Sequence, residues 1–152
     1  MSLTLIKKLR EETKAGMLEC KEALEKANGE YEKAKAILES EVKELKESKR
    51  VASKGLCHIE IKDNEAILFE VNAETDFVSK NEDFKHLMST LGKALIDSKA
   101  NYPKEALKVS LGKQTVEELI LYTSGIIKEK AYLRRFFRIK KSNEQSFGSY
   151  IH

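Results

Sequence analysis

The stretch Gly55-Leu56-Cys57-His58-Ile59-Glu60-Ile61-Lys62-Asp63-Asn64-Glu65-Ala66-Ile67-Leu68-Phe69-Glu70-Val71 decides the fold, because at Gly55 the hydrophobic period changes from helical to alternating. Cys57, Ile59 and Ile61 point one way along a strand, and His58, Glu60 and Lys62 the other. Lys62-Asp63-Asn64-Glu65 reads as a turn, and 66–71 is a continuous apolar strand. The two predict an antiparallel hairpin.

Upstream of Gly55 the period is helical throughout. Leu5, Ile6 and Leu9 share one face, Lys14-Ala15-Gly16 interrupts it, and Met17, Cys20, Leu24 and Ala27 resume it. Asn28-Gly29 is a helix stop, since both residues tolerate the left-handed conformation that closes a helix. A third helix turns Tyr31, Ala34, Ile37, Leu38 and Val42 inward. Its continuation over 39–54 alternates Glu and Lys at spacings of three and four and reads as a solvated helical linker. The expected division is therefore a three-helix module over 1–50 and an α+β unit over 51–152, in which a small antiparallel sheet is packed with helices.

Downstream of Val71, Ser79 with Glu82 reads as a capping box for a helix whose apolar face is Phe84, Leu87, Met88, Leu91 and Leu95. Asn101-Tyr102-Pro103 ends that region. Thr115 with Glu118 opens another helix, with Val116, Leu119, Ile120 and Ile127 inward. Over 132–141 alternation returns, with Leu133, Phe137 and Ile139 on one face and Arg134, Arg138 and Lys140 on the other. The final Phe147-Gly148-Ser149-Tyr150-Ile151-His152 opens like the strand at Gly55, so the sequence looks truncated. The expectation for 147–152 is a strand either poorly ordered or paired with a second molecule.

The 152 residues carry 35% charged and 41% hydrophobic residues and a single proline. That is a globular composition, and no apolar run approaches the ~20 residues of a membrane span. The amino terminus has lysines at Lys7 and Lys8 behind a short apolar patch, the reverse of a secretory signal, so cytoplasm is the expected compartment. In that compartment Cys20 and Cys57 are expected to be buried thiols. The net charge of +3 is uneven: +2 over 1–54, −4 over 55–127 and +5 over 128–152. A chain-wide basic footprint for nucleic acid is absent.

Neither G-x-G-x-x-G nor G-x-x-x-x-G-K-[ST] is present. His58 adjoins Cys57, but neighbours on a strand face opposite ways and no second ligand pair follows, so no metal is expected. The carboxylates are interleaved with lysines, and no acid/base pair stands out. Catalytic chemistry and a bound cofactor are not expected. What packing leaves unexplained is Glu74-Thr75-Asp76-Phe77-Val78, between the apolar strand and the capped helix. Such loops carry function on rigid scaffolds. The plain alternative makes Phe77 or Val78 a hydrophobic staple over the helix start, with Asp76 helping to cap it.

Two long segments resemble those of translation elongation factor Ts. One is Val71-Asn72-Ala73-Glu74-Thr75-Asp76-Phe77-Val78-Ser79-Lys80-Asn81. The other is Leu9-Arg10-Glu11-Glu12-Thr13-Lys14-Ala15-Gly16-Met17-Leu18-Glu19-Cys20-Lys21-Glu22-Ala23-Leu24. Leu133-Arg134-Arg135-Phe136 and Gly148-Ser149-Tyr150-Ile151-His152 resemble the family's next landmarks. Lys14 stands where the family often has glycine, Leu18 where a second methionine is usual, and Ala73 where cysteine is common. The chain is similar to the first of the family's two related halves plus the opening strand of the second.

The resemblance implies a ubiquitin-associated-like three-helix module and a guanine-nucleotide exchange factor for elongation factor Tu. It assigns Thr75, Asp76, Phe77 and Val78 to a loop inserted beside the GTPase's magnesium and nucleotide site, with Phe77 as wedge. It assigns Arg10, Met17, Leu18 and Lys21 to docking of the module. Two other classes stay open on the residues alone. One is an RNA-binding module using the helices and the basic–aromatic stretch 134–141, and the other is a binder of ubiquitin-like proteins.

Overall fold

The computed structural model describes residues 2–152. Three helices come first: α1 (Leu3–Thr13), α2 (Met17–Lys26) and α3 (Tyr31–Glu47). Each boundary has a local cause. The Ser2 hydroxyl accepts the Thr4 N–H, and α1 closes at Lys14, which takes φ 58°. The Glu19 carboxylate reaches back to accept the Gly16 N–H at 2.8 Å, fixing the start of α2. Asn28 and Gly29 both adopt positive φ, and the Gly29 N–H donates to the Leu24 carbonyl at 2.8 Å. The helix stop read there is the one formed. Ile6, Leu9, Cys20, Leu24, Ala34 and Leu38 make this module's own core. Met17, expected on the inward face, is instead 44% exposed, because it is the first residue of α2, one turn ahead of buried Cys20.

The second part is a three-stranded antiparallel sheet of β1 (Lys54–Lys62), β2 (Glu65–Ala73) and β5 (Tyr132–Lys140), in the order β1-β2-β5. Between β2 and β5 the chain forms α4 (Glu82–Asp97), the short α5 (Pro103–Leu107), a hairpin of β3 (Ser110–Leu111) with β4 (Gln114–Thr115), and α6 (Val116–Ile127). The predicted α+β architecture is the observed one. Ile67, Phe69 and Val71 of central β2 meet Phe84, Leu87, Leu91 and Leu95 of α4 in one core, closed by Val116, Ile120, Leu133 and Phe136.

Several sequence expectations change here, three of them in the sheet unit's own elements. β1 turns its other face inward. His58 pairs directly with buried Phe69, their rings 5.3 Å apart, and its Nε2 lies 2.6 Å from the Glu60 carboxylate. A methyl group on Gly92 of α4 would lie 2.4 Å from that nitrogen, so α4 crosses β1 over a glycine notch. Central β2 sets the phase: with Phe69 inside, its partner His58 must be inside too. Cys57 is consequently exposed, and only Cys20 is the buried thiol expected of both.

β5 shifts phase as well. Glu70 pairs with Arg135 but Val71 with Leu133, so Arg134 is an extra residue, a β-bulge. Leu133 and Phe136 therefore both face the core, while Phe137 and Ile139 are 55% and 54% exposed. Arg138 turns inward instead, its side chain only 3% exposed. Its Nε donates to the Ala100 carbonyl at 2.7 Å, Nη2 to Leu95 at 2.6 Å and Nη1 to Ile96 at 3.2 Å. The arginine caps α4, whose last turn has no basic residue of its own.

The third change is at the start of α4. Its cap is Asn81, whose Oδ1 accepts the Phe84 N–H at 3.0 Å. Ser79 lies in the preceding 3-10 turn, Asp76–Lys80, and its hydroxyl donates to the Asp76 carbonyl. The Thr115 cap is as read, accepting the Glu118 N–H. Residues 147–152 form no strand; the chain turns at Ser142 and Gln145 after β5, and Tyr150 is 81% exposed.

The 39–54 stretch is less solvated than its charge implied. Val42 packs on Gly125, where a methyl group would come within 2.9 Å of it, and Lys46 pairs with Glu117 at 2.7 Å. The Ala52 carbonyl accepts from buried Asn72 at 3.2 Å. Helix α3 is thereby laid along α6, and the module sits against the sheet unit.

Candidate functional site

The loop after β2 is held at both ends and projects in the middle. Val78 is buried in the main core at 2% exposure. Thr75, one residue ahead of the 3-10 turn, donates its backbone N–H and its hydroxyl to the two oxygens of Glu129, at 2.7 and 2.6 Å. Glu74 is half-buried; it accepts the Lys130 N–H at 2.8 Å and has the Arg50 guanidinium 3.5 Å away. Between these anchors Asp76 is exposed and Phe77 is 78% exposed. Val78 takes the inward place that a staple would fill, and Asn81 takes the cap. The Phe77 ring touches neither task.

An exposed phenylalanine on a pinned loop is unusual in energetic terms. Leaving the ring in water forfeits about 1.5–3 kcal/mol that burial would supply. Clamping the flanking backbone means little further ordering is required when the ring meets a partner.

The module residues lie on its surface. Met17 and Leu18 are 44% and 67% exposed at the start of α2. Lys21 is exposed and lies 3.8 Å from Glu25 one turn on. Arg10 is on α1, at the rim of a cleft of about 650 Å³ between that helix and the α4–α6 pair. The corner after α6 connects these residues with the 75–78 loop. Lys128 donates to Glu19 at 2.8 Å, the same carboxylate that caps α2 beside Met17, while its neighbour Glu129 holds Thr75. The Lys128 ammonium, and then the Gly16 N–H, hold the Glu19 carboxyl below the usual carboxylate range.

Sequence reasoning missed Glu129, Lys130 and the role of Glu74. Their partners across the corner lie more than fifty residues away, and nothing local pairs Glu74 with Lys130 or Glu129 with Thr75. Among the described residues no group of three His, Cys, Asp or Glu side chains is placed to hold a metal ion. Among those residues no helix is long and apolar enough to cross a membrane. The basic–aromatic stretch of β5 is dispersed by its own contacts. Arg134 and Arg135 share Glu70, at 3.1 and 3.7 Å, and Arg138 is spent on α4.

The chain is similar along its length to known proteins. The family described as "Elongation factor TS" matches residues 74–152, beginning at Glu74 of the clamped loop. Elongation factor Ts of Acholeplasma laidlawii (strain PG-8A) is 46% identical over 156 residues, covering all of this chain and 52% of the relative. Elongation factor Ts of Spiroplasma citri is 43% identical and that of Phytoplasma australiense 40% identical. Each comparison covers 97% of this chain, and 51% and 54% of the respective relatives. The chain thus spans about half the length of the relatives it matches. With the family match covering residues 74–152 and the similarity to relatives running across both parts of the molecule, the chain belongs to the elongation factor Ts family.

Proposed function

We propose that this chain promotes release of GDP from the translation GTPase elongation factor Tu. The 75–78 loop enters beside the partner's nucleotide site, and the module docks through Arg10, Met17, Leu18 and Lys21. The observation that carries this reading is the exposed Phe77 ring between the buried Val78 and the clamped Thr75. Family membership supports the choice of partner.

The mechanism needs no chemistry from this chain. The magnesium would belong to the partner, where it would help hold GDP, and a packed pocket switches between discrete arrangements. A rigidly presented ring stabilises the arrangement in which the magnesium site is broken. By linkage, the factor by which this chain prefers the nucleotide-free GTPase is the factor by which nucleotide binding weakens. Asp76 positions and steers; Phe77 wedges.

The test is GDP release from elongation factor Tu with thermal unfolding measured on the same variants. A buried aromatic anchor is worth about 2–4 kcal/mol, roughly 30- to 1,000-fold. Phe77→Ala should therefore lower exchange efficiency at least about tenfold while its melting temperature moves only a few degrees. Asp76→Ala should be milder. A destabilised Phe77→Ala whose exchange is intact in the cold would sink the reading.

A further inference from the structure

We propose that Glu129, in the corner between α6 and β5, is a positioning residue for the exchange loop, setting the direction in which Phe77 is presented. The inference rests on the exchange reading given above, because it assigns Glu129 a role only through that loop.

The Ser79 hydroxyl bond to the Asp76 carbonyl shapes the turn that carries the ring, but it does not tie the start of that turn to the rest of the molecule. Thr75 stands where a threonine would ordinarily cap the turn that follows, yet its side chain makes no cap bond. Both its donors go instead to one carboxylate from a remote element, at 2.7 and 2.6 Å. The arrangement is reciprocal. Glu74, preceding Thr75, accepts the N–H of Lys130, which follows Glu129. Two adjacent residues on each side thus exchange carboxylate-to-amide bonds across a gap of more than fifty residues. A pair of charge-assisted bonds to one residue, from its backbone N–H and its hydroxyl, fixes orientation as well as distance.

The corner itself is held in place. Lys128 closes α6 in the left-handed conformation, φ 60°, an uncommon one for lysine. That conformation turns the chain sharply and sends Glu129 back toward β2. The Lys128 ammonium meanwhile reaches Glu19 on the module, and the Lys130 ammonium reaches the Ser48 carbonyl at 2.7 Å. Val78 fixes where the turn enters the core, and the Asn81 N–H bond to its carbonyl ties the turn's end to α4. The Glu129 clamp, three residues upstream of Val78, holds the turn's start, and Phe77 lies between the two fixed points.

The test uses the 152-residue chain in two arms. In the first, without partner, backbone hydrogen exchange is followed for the wild type, Glu129→Ala and Glu129→Gln. The Thr75 amide should lose most of its protection in Glu129→Ala and part of it in Glu129→Gln, while amides of α4 and β2 stay protected. In the second arm, release of fluorescent GDP from elongation factor Tu is measured for these proteins, Phe77→Ala and the double variant Glu129→Ala/Phe77→Ala. Loss of two charge-assisted bonds at a half-buried site should cost exchange about tenfold in Glu129→Ala, and two- to threefold, roughly, in Glu129→Gln, which keeps one acceptor.

The decisive outcome is the double variant. If Glu129 acts only by aiming Phe77, its removal adds less than about twofold once the ring is gone. Multiplying losses, an unchanged Thr75 amide, or exchange in Glu129→Ala equal to wild type would each overturn the inference. A wild-type chain that leaves GDP release unaltered strikes instead at the exchange reading. An active wild type indifferent to Glu129 strikes only the positioning role.

Discussion

Replacing Arg138 with alanine removes the cap from the carboxyl end of α4. Three carbonyls are at stake, those of Leu95, Ile96 and Ala100, each within 3.2 Å of a guanidinium nitrogen. Leu95 is insured, since its carbonyl also accepts the Ser98 hydroxyl at 2.7 Å. Ile96 and Ala100 are not covered in that way. A hydrogen bond from a charged donor contributes about 1.5–3 kcal/mol, and a buried carbonyl left without a donor costs about 1–3 kcal/mol. Two such losses, offset by water reaching the new space, give an expected destabilisation of about 2–4 kcal/mol. For a domain of this size that lowers the melting temperature by roughly 5–15 °C. Urea unfolding followed by far-ultraviolet circular dichroism measures it, with Arg135→Ala as the outward-facing control, expected below about 1 kcal/mol. Arg138→Lys keeps the charge but not the fork, and should recover less than half the loss. If Arg138→Ala lies within about 0.5 kcal/mol of wild type, or the control costs as much, the capping role is refuted.

Three further outcomes follow from the packing. Gly92→Ala drives a methyl group into the movable ends of the His58–Glu60 pair and, with helix propensity offsetting part of the cost, should destabilise by no more than about 1 kcal/mol; His58→Ala should turn the same change neutral or stabilising, and additive losses would contradict the notch. In the native protein Cys57 should react with a maleimide while Cys20 stays protected until unfolding, with mass spectrometry on the labelled chain as the check. The Glu19 carboxyl is depressed in the folded state, so its contribution is complete above its unfolded value of about 4.3 and is lost as pH falls through the folded value. The stability gap between wild type and Glu19→Gln should therefore narrow as the pH is lowered from about 5 toward 3; a gap constant over that range would exclude the Lys128–Glu19 tether.

The helices were legible because each carries its own boundary chemistry: Asn28-Gly29 ends α2 and Thr115 starts α6 by bonds only a few residues long. The hairpin was legible for the same reason, its turn lying between Lys62 and Glu65. The strand phases were not. β1 bears isoleucines on its outer face and a histidine and glutamate inside, so binary pattern points the wrong way. Central β2 and the Gly92 notch decide the matter at long range. In β5 one extra residue inverts the alternation after Leu133, and nothing local announces it. Five-residue α5 is too short to show a period, and Asn81 and Ser79 are equally plausible caps by composition. At the site, a staple and a projecting wedge both call for an aromatic residue near the helix start. Only burial separates Val78 from Phe77, and only the third dimension brings Glu129 to Thr75.

The bulge at Arg134 also bears on how readily another chain could add to this sheet. β5 is an outer strand of the sheet, with ladder groups on its far side and an apolar outer face that includes Phe137 and Ile139. A flat strand of that composition would be a template on which another chain could add, the first step toward fibrous aggregation. The extra residue breaks the even spacing an incoming strand would need and increases the local twist. It also sets Arg134 and Arg135 side by side around Glu70, so that an approaching strand meets two cations, with Lys140 a third farther along. Straightening β5 by deleting Arg134 would keep Leu133, Phe136 and Arg138 on their present faces while removing that defence. The cost would fall on solubility at high concentration, with little change in the folded monomer.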